Sequence, residues 1–434
     1  MAQAKSRTLL SIFLVLSSIT SLCRSDDCQH ELVESMPEKL DFNSSLSFKL
    51  RPTHETLLDL IANSKSTLKI ASFYWILTAD PEFAQHPSAL PGRELMDAIT
   101  AAVSRGVKLQ VVLDGSSSSA SSKADVDKLK EMGVVKFLNM TKLLKSGVMH
   151  TKFLIADDEN FYLGSSNFDW RSYTQIKEIG ISFRKCKVLA EDLEKIFQTY
   201  VLMSDTNEVP ETLPESLGTK INIDHPLSLK LDNLDASVFL AGAPPAFNGL
   251  KNWTGRTDDI DGLLHIINKA RRRIDISVMN YSPRTEFIWP KKFWPRIDDA
   301  LRRAASERRV KVRLLFSDWS HKKPEELMWY KSLNAIQSPT LKGGGIHVRM
   351  FKVPIADDFE RSIPFARVKH DKYLVSDNGL YIGTSNWSPD YFINTCGVSI
   401  VIQPNSKIEK GSIIQKMSDL FDRDFSSEHS EELE

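Results

Sequence analysis

Short apolar runs alternate with amphipathic stretches along the chain, and the whole series occurs twice. Residues 68–75 match 274–281 as a strand ending in polar and aromatic side chains, and 107–114 match 310–318. Ahead of the second strand in each half, 93–104 and 294–306 carry apolar residues at helical spacing. A third strand (134–138, 346–353), a fourth (152–156, 372–376) and its partner (161–164, 380–383) complete each series. Strands alternating with helices predict mixed α/β layers, helices covering a largely buried sheet. A series present twice predicts two homologous α/β sandwich lobes related by a pseudo-two-fold axis. The N-terminal lobe is expected over 26–205 and the C-terminal lobe over 236–425. Residues 206–235, with Pro210, Pro214, Gly218 and Pro226, read as a linker, and 426–434 as an acidic tail that frays.

The first residues change the picture of where the chain works. Lys5 and Arg7 precede an apolar run from Leu9 to Leu22, and Cys23-Arg24-Ser25 offers small residues for cleavage. A signal peptide over 1–25 is the expectation, and an uncleaved N-terminal membrane anchor is the competing one. The secretory route leads to the lysosomal lumen or to secretion. Removing 1–25 takes away Lys5, Arg7 and Arg24 and no acid, so 56 basic against 56 acidic residues becomes an excess of three acids. No global positive field draws in long nucleic acid, so a polyanion must be recognised locally. Of the four cysteines, Cys28, Cys186 and Cys396 remain, and an oxidising lumen favours one disulfide and one thiol. Asn43, Asn139 and Asn252 head glycosylation sequons, while Asn280 and Asn386 sit in apolar segments and are expected to stay unmodified.

The candidate chemistry lies on the fourth strand of each series. His150-Thr-Lys152-Phe-Leu-Ile-Ala-Asp157 recurs as His370-Asp-Lys372-Tyr-Leu-Val-Ser-Asp377, each followed by a Gly-[Ser/Thr]-Ser-Asn run. Residues two apart on a strand share a face, so each copy aims one imidazole and one ammonium at a common point. One histidine can attack phosphorus and form a phosphohistidine, while the other protonates the departing oxygen and then activates water. Lys152 and Lys372, with Asn167, Asn386, Ser165 and Ser385, are expected to hold the nonbridging oxygens. The scheme needs no metal or other cofactor. Asp157 and Asp377 complete the motif and are counted with the catalytic set, although salt bridging or turn capping suits their chemistry better. Glu178, eleven residues after Asn167, is expected to orient a histidine; the matching place after Asn386 is Gly397. The inert alternative, motifs kept only as packing, is disfavoured because a buried lysine beside a histidine with no anion is costly.

The two His-x-Lys-x4-Asp motifs resemble those of the phospholipase D superfamily. The blocks 32–38, 71–75, 168–172, 293–299 and 381–387 look like its phospholipase D3 and D4 branch. That resemblance implies a metal-independent lysosomal or secreted 5′ exonuclease, releasing nucleotide 3′-phosphates from single-stranded DNA and RNA. It implies His150 as nucleophile, His370 as acid, and a Cys28–Cys186 disulfide that leaves Cys396 free. Asn394 stands where relatives carry an acid, which bears on what supports His370.

Phe73, Tyr74, Trp75, Tyr281 and Trp387 flank the site strands and could stack a terminal base, although aromatics at strand ends are more often core. The runner-up activity is phospholipase D or transphosphatidylase chemistry on glycerophospholipids. A luminal oligonucleotide-binding protein is the third reading, and two complete motifs argue against it. Candidate partners are therefore single-stranded nucleic-acid ends or phospholipid head groups, with a homodimer as a candidate assembly.

Overall fold

In a computed structural model, residues 28–43, 46–116, 121–249, 251–337 and 344–433 are described. The leader and Cys23 lie outside them. Each half builds one large mixed sheet with its motif strand near the middle. The N-terminal sheet runs, edge to edge, Arg51–Pro52, Gln29–Ser35, Glu178–Arg184, Asn160–Gly164, Lys152–Ala156, Thr67–Ser72, Lys108–Asp114 and Val134–Leu138. The C-terminal sheet runs Leu227–Leu231, Leu234–Ala243, Gly397–Pro404, Gly379–Gly383, Lys372–Ser376, Arg273–Val278, Lys311–Ser317, Gly345–Phe351 and Ser430–Glu432. In both, the motif strand is antiparallel to its neighbours and a parallel trio lies beyond it.

Alternation along the motif strands explains the layering. Phe153 and Ile155 enter a core shared with Tyr373 and Val375, whereas Leu154 and Ala156 face the N-terminal lobe's own outer core. The shared core also takes Leu193, Phe197 and Tyr200 from the helix Lys187–Thr206, and Met417, Leu420 and Phe421 from Ile413–Phe425. Apolar burial between the sheets therefore holds the lobes together. Emptying one such position, as in Phe153→Ala, would cost about 3–5 kcal/mol.

The outer helices Leu90–Ser104 and Arg296–Ser306 bury Leu95, Met96, Ile99 and Ala102, and Ile297, Leu301, Ala304 and Ala305, as helical spacing predicts. Their starts differ from the expected ones because Pro91 fits a first turn and Pro295 cannot continue a helix backwards. Two expectations about connecting segments need correction. The stretch read as a linker ends in Leu227–Leu231, which pairs with Leu234–Ala243 because its alternating leucines find a buried face. The acidic tail does not simply fray: Ser430–Glu432 pairs with Gly345–Phe351, and Glu432 meets Arg349 at 2.8 Å. Cys28 and Cys186 form the disulfide, joining the first described strand to the start of the long helix; Cys396 is a buried free thiol.

The lobes meet through matching backbone bonds. The His150 N–H donates to Cys396 O at 3.0 Å, and the His370 N–H to Lys177 O at 2.8 Å. Met149 pairs with Cys396 and Lys369 with Lys177 as short bridges between the sheets. These related contacts place the two motif strands end to end across the pseudo-two-fold axis.

Candidate active site

His150 and His370, one from each lobe, line a single cavity of about 280 Å³ together with Phe73, Tyr74, Asn167 and Arg171. The fold supplies this convergence because both motif strands end at the lobe interface. Each histidine is then oriented by the opposite lobe. His150 Nδ1 lies 2.8 Å from the carbonyl oxygen of Thr384. A carbonyl can only accept, so Nδ1 carries the proton and Nε2 keeps its lone pair. His370 Nδ1 instead lies 2.9 and 3.0 Å from the two carboxyl oxygens of Glu178.

Burial, then Lys152, Lys372 and His370, push His150 well below its ordinary range, which favours the neutral ring. Burial, with Lys372 and Lys152, lowers His370, and burial raises the Glu178 carboxyl well above the usual carboxylate range. Burial thus favours a shared proton between His370 Nδ1 and the Glu178 carboxyl. One histidine is backed by a carbonyl that can only accept, the other by a carboxyl that can titrate.

Lys152 and Lys372 are fully buried. Each ammonium folds back onto the carbonyl of its own motif histidine, Lys152 Nζ to His150 O at 2.5 Å and Lys372 Nζ to His370 O. Two of three N–H groups on each remain for an anion. Burial and Lys372 lower Lys152 strongly; burial lowers Lys372 to about 8, against the pull of Glu178 and Asp371. Two buried cations facing each other are unfavourable until an anion joins them. Asn167 and Asn386 each reach a tyrosine, Nδ2 to Tyr74 Oη at 3.3 Å and to Tyr391 Oη at 3.2 Å. Their Oδ1 atoms are buried with no hydrogen-bond partner in the protein.

Four expected residues are not where the motif reading put them. Asp157 and Asp377 sit at the far end of the motif strands, seven residues beyond the histidines, roughly 23 Å of extended chain at about 3.3 Å per residue. Asp157 accepts the backbone N–H groups of Lys65, Ser66 and Thr67 at 2.7–3.1 Å. Asp377 does the same for Arg271, Arg272 and Arg273. Both pin the turn that starts the neighbouring strand. Ser165 and Ser385 do not line the cavity; both serve as supports behind it. Ser165 Oγ bonds to Ile179 O at 3.1 Å, and Ser385 Oγ to the Asp259 carboxyl at 3.4 Å. Of the proposed stacking aromatics, Trp75, Tyr281 and Trp387 are core, and only Phe73 and Tyr74 line the cavity. Asn394 contacts Ser146 and does not touch His370; Glu178 occupies that role from the other lobe.

Sequence reasoning missed three parts of the site. Tyr391 packs edge-on to His150, with ring centroids 5.0 Å apart. Arg171 pairs with the buried Asp169 carboxylate at 2.7 Å and donates to Pro364 O at 2.7 Å, stitching the lobes beside the cavity. Behind His370 lies a buried ionic cluster in which Lys177, Lys369 and Arg423 face Glu34, Asp371 and Asp424. Three cations balance three carboxylates, which satisfies the charges away from water. Of the three favoured sequons, Asn43 is exposed, while Asn139 and Asn252 donate their amides to Gly115 O and Leu213 O at 2.9 Å.

A family model described as "PLD3/4, PLD-like domain" matches residues 44–356. A Xenopus laevis protein named 5'-3' exonuclease PLD3 is 40% identical over 98% of this chain and 86% of its own. Its Homo sapiens namesake is 40% identical over 94% of this chain and 81% of its own. Among solved structures, phosphatidylserine synthase from Haemophilus influenzae superposes with a TM-score of 0.54 at 11% identity, covering 87% of this chain and 85% of that one. The last likeness concerns the fold alone.

Proposed function

The chain belongs to the PLD3/4 family of phospholipase D-like proteins, and from that premise we propose that it is a 5′ exonuclease on single-stranded nucleic acid. One observation carries the reading: two histidines with different Nδ1 partners meet in one cavity from two lobes, each with a buried lysine two residues along its own strand. That arrangement suits one tetrahedral phosphodiester anion. His150 Nε2 attacks phosphorus, forming a P–N bond as the bond to the 5′ oxygen of the remaining strand breaks. His370 gives its Nε2 proton to that oxygen. It then takes a proton from water, which attacks phosphorus, breaks the P–N bond and releases a nucleotide 3′-phosphate. Lys152, Lys372 and the amides of Asn167 and Asn386 hold the nonbridging oxygens throughout. The positive charge comes from the chain itself, so activity is expected to survive EDTA.

An acidic working range fits the site. Activity needs His150 neutral and a proton on His370 Nε2; burial favours the neutral ring at His150 and the protonated carboxyl at Glu178. The Cys28–Cys186 disulfide supports a luminal or secreted setting.

A second reading, phosphatidyl transfer, is favoured by one surface feature. Phe287, Trp289, Phe293 and Met328 are exposed beside the half-buried Lys291 and Lys323, and Phe287 packs edge-on to Tyr391 of the site. The deciding assay uses purified protein at pH 5 to 5.5 with EDTA. It offers a single-stranded oligonucleotide with a free or blocked 5′ end, and phosphatidylcholine in parallel. Stepwise loss from the free end, absent when blocked and abolished by His150→Ala, is the expected result. Choline release without nucleotide release would replace the exonuclease reading with the lipid one.

A further inference from the structure

Beside the catalytic cavity lies a larger one of about 510 Å³, within the usual size range for ligand sites. Trp319 and Phe365 line both. Between them stands His321, 4.9 Å from the Trp319 ring and 4.7 Å from that of Phe365, centroid to centroid. Three rings thus form a continuous aromatic shelf at the boundary of the two cavities. Lys322, Lys352 and Arg361 line the same cavity, as do Asp318, which pairs with Lys322, and the buried Glu360.

The loop that carries the shelf is held in an unfavourable shape. Phe365 has φ +56° and Arg367 φ +55°, a region that residues with a Cβ avoid. Phe365 is nonetheless 58% exposed, so burial does not repay that conformation. Its neighbours fix it: Pro364 O accepts from Arg171 at 2.7 Å, and Arg367 donates to Pro354 O at 2.9 Å and Glu38 O at 3.1 Å. An exposed aromatic ring clamped from both sides next to a reactive cavity points to a ligand face.

Placement says which part of the substrate it faces. In-line attack by His150 sends the leaving oxygen towards His370. The second cavity is built from residues 318–322 and 352–367 of His370's own lobe, the latter running directly into the motif strand. We propose that this cavity seats the leaving strand, whose first bases stack on Trp319, His321 and Phe365 while its phosphates lie towards Lys352 and Arg361. Stacking on aromatic rings accepts any base, which suits a processive trimming of mixed sequence. This inference rests on the exonuclease reading.

The test compares full-length wild type, His321→Ala and His321→Phe. Each is given a 5′-free hexanucleotide, a dinucleotide and bis(p-nitrophenyl) phosphate, a small diester with no strand to seat. Wild type should turn over the hexanucleotide at least ~10-fold better, by kcat/KM, than the dinucleotide. The ratio of hexanucleotide to small-diester kcat/KM should fall about tenfold in His321→Ala and recover in His321→Phe. A ratio that His321→Ala leaves at its wild-type value, or a wild type indifferent to length, overturns the leaving-strand cavity while leaving the exonuclease reading intact. Cleavage of the small diester with no cleavage of either oligonucleotide overturns both.

Discussion

The two sides of the site occupy equivalent places in a duplicated fold and share the lysine and the asparagine, yet the residues that flank and back the histidines differ. Beside His370 stand Lys369, Asp371, Lys177 and Glu178; the counterparts beside His150 are Met149, Thr151, Cys396 and Gly397. One histidine is backed by a buried carboxyl and a charge-balanced ionic cluster, the other by a backbone carbonyl and neutral side chains. Gly397 could not be the missing acid's seat, since a Cβ there would come within 2.2 Å of Ser385 Oγ and 3.3 Å of Asp259. The acid on that side is Asp259, one layer back, bonded to Tyr381 and Ser399. Duplication kept the frame that aims two histidines at one point, and divergence gave them different Nδ1 partners. His150 Nδ1 meets a carbonyl that can only accept, whereas His370 Nδ1 meets a carboxyl that can itself carry a proton.

The sharpest way to break that comparison is to remove each histidine in turn. His150→Ala should lose ~10³–10⁴-fold in kcat on every substrate, because the nucleophile is gone. His370→Ala should lose as much on oligonucleotides but give a stoichiometric burst on bis(p-nitrophenyl) phosphate, whose leaving group needs no proton. Equal loss of the burst in both variants would mean that the roles are not divided.

Glu178→Gln should cost roughly 10–100-fold, an expectation for an orienting partner. It should also shift the alkaline limb of the kcat/KM profile while leaving the acid limb, which belongs to His150, in place. Movement of both limbs together would merge the two sides into one coupled group.

Asp259 makes a prediction about stability. Burial raises its carboxyl to about 6 from an ordinary 3.8, so the folded protein binds a proton more tightly than the unfolded chain. The stabilisation is complete below about pH 4 and is lost as pH rises through about 6, on the order of 3 kcal/mol in all. Asp259→Asn should flatten Tm between those limits. An unchanged slope would remove Asp259 from the neutral side's design.

Asp157→Asn and Asp377→Asn should lower stability by ~1–2 kcal/mol each, from weakened bonds to backbone N–H groups, with kcat unchanged. A loss of kcat in either, with Tm preserved, would restore a catalytic role to that aspartate.

The site was legible in the sequence wherever chemistry and periodicity coincide. His150, Lys152, His370 and Lys372 share a face because strands repeat every second residue, and both motif strands appear where the pattern put them. The same period cannot tell which end of a strand meets the other lobe, so Asp157 and Asp377 were grouped with residues at the opposite end. Outer strands such as Glu178–Arg184 and Gly397–Pro404 are buried on both faces and show no alternation to read. The ionic cluster joins residues 34, 177, 369, 371, 423 and 424, and only the closed fold brings them together. Glu178 could be singled out by its spacing, but not which histidine it serves, because the partner lies across the lobe interface.

Most direct of all is the identity of the covalent intermediate. His370→Ala is mixed with bis(p-nitrophenyl) phosphate, whose leaving group needs no proton, at pH 5, quenched in alkali to preserve the phosphoramidate, and mapped by peptide mass spectrometry. The mass of a p-nitrophenyl phosphoryl group on the peptide holding His150, and none in His150→Ala, is the expected result. The same adduct on His370 in wild type or in His150→Ala would contradict the division of roles between the two lobes.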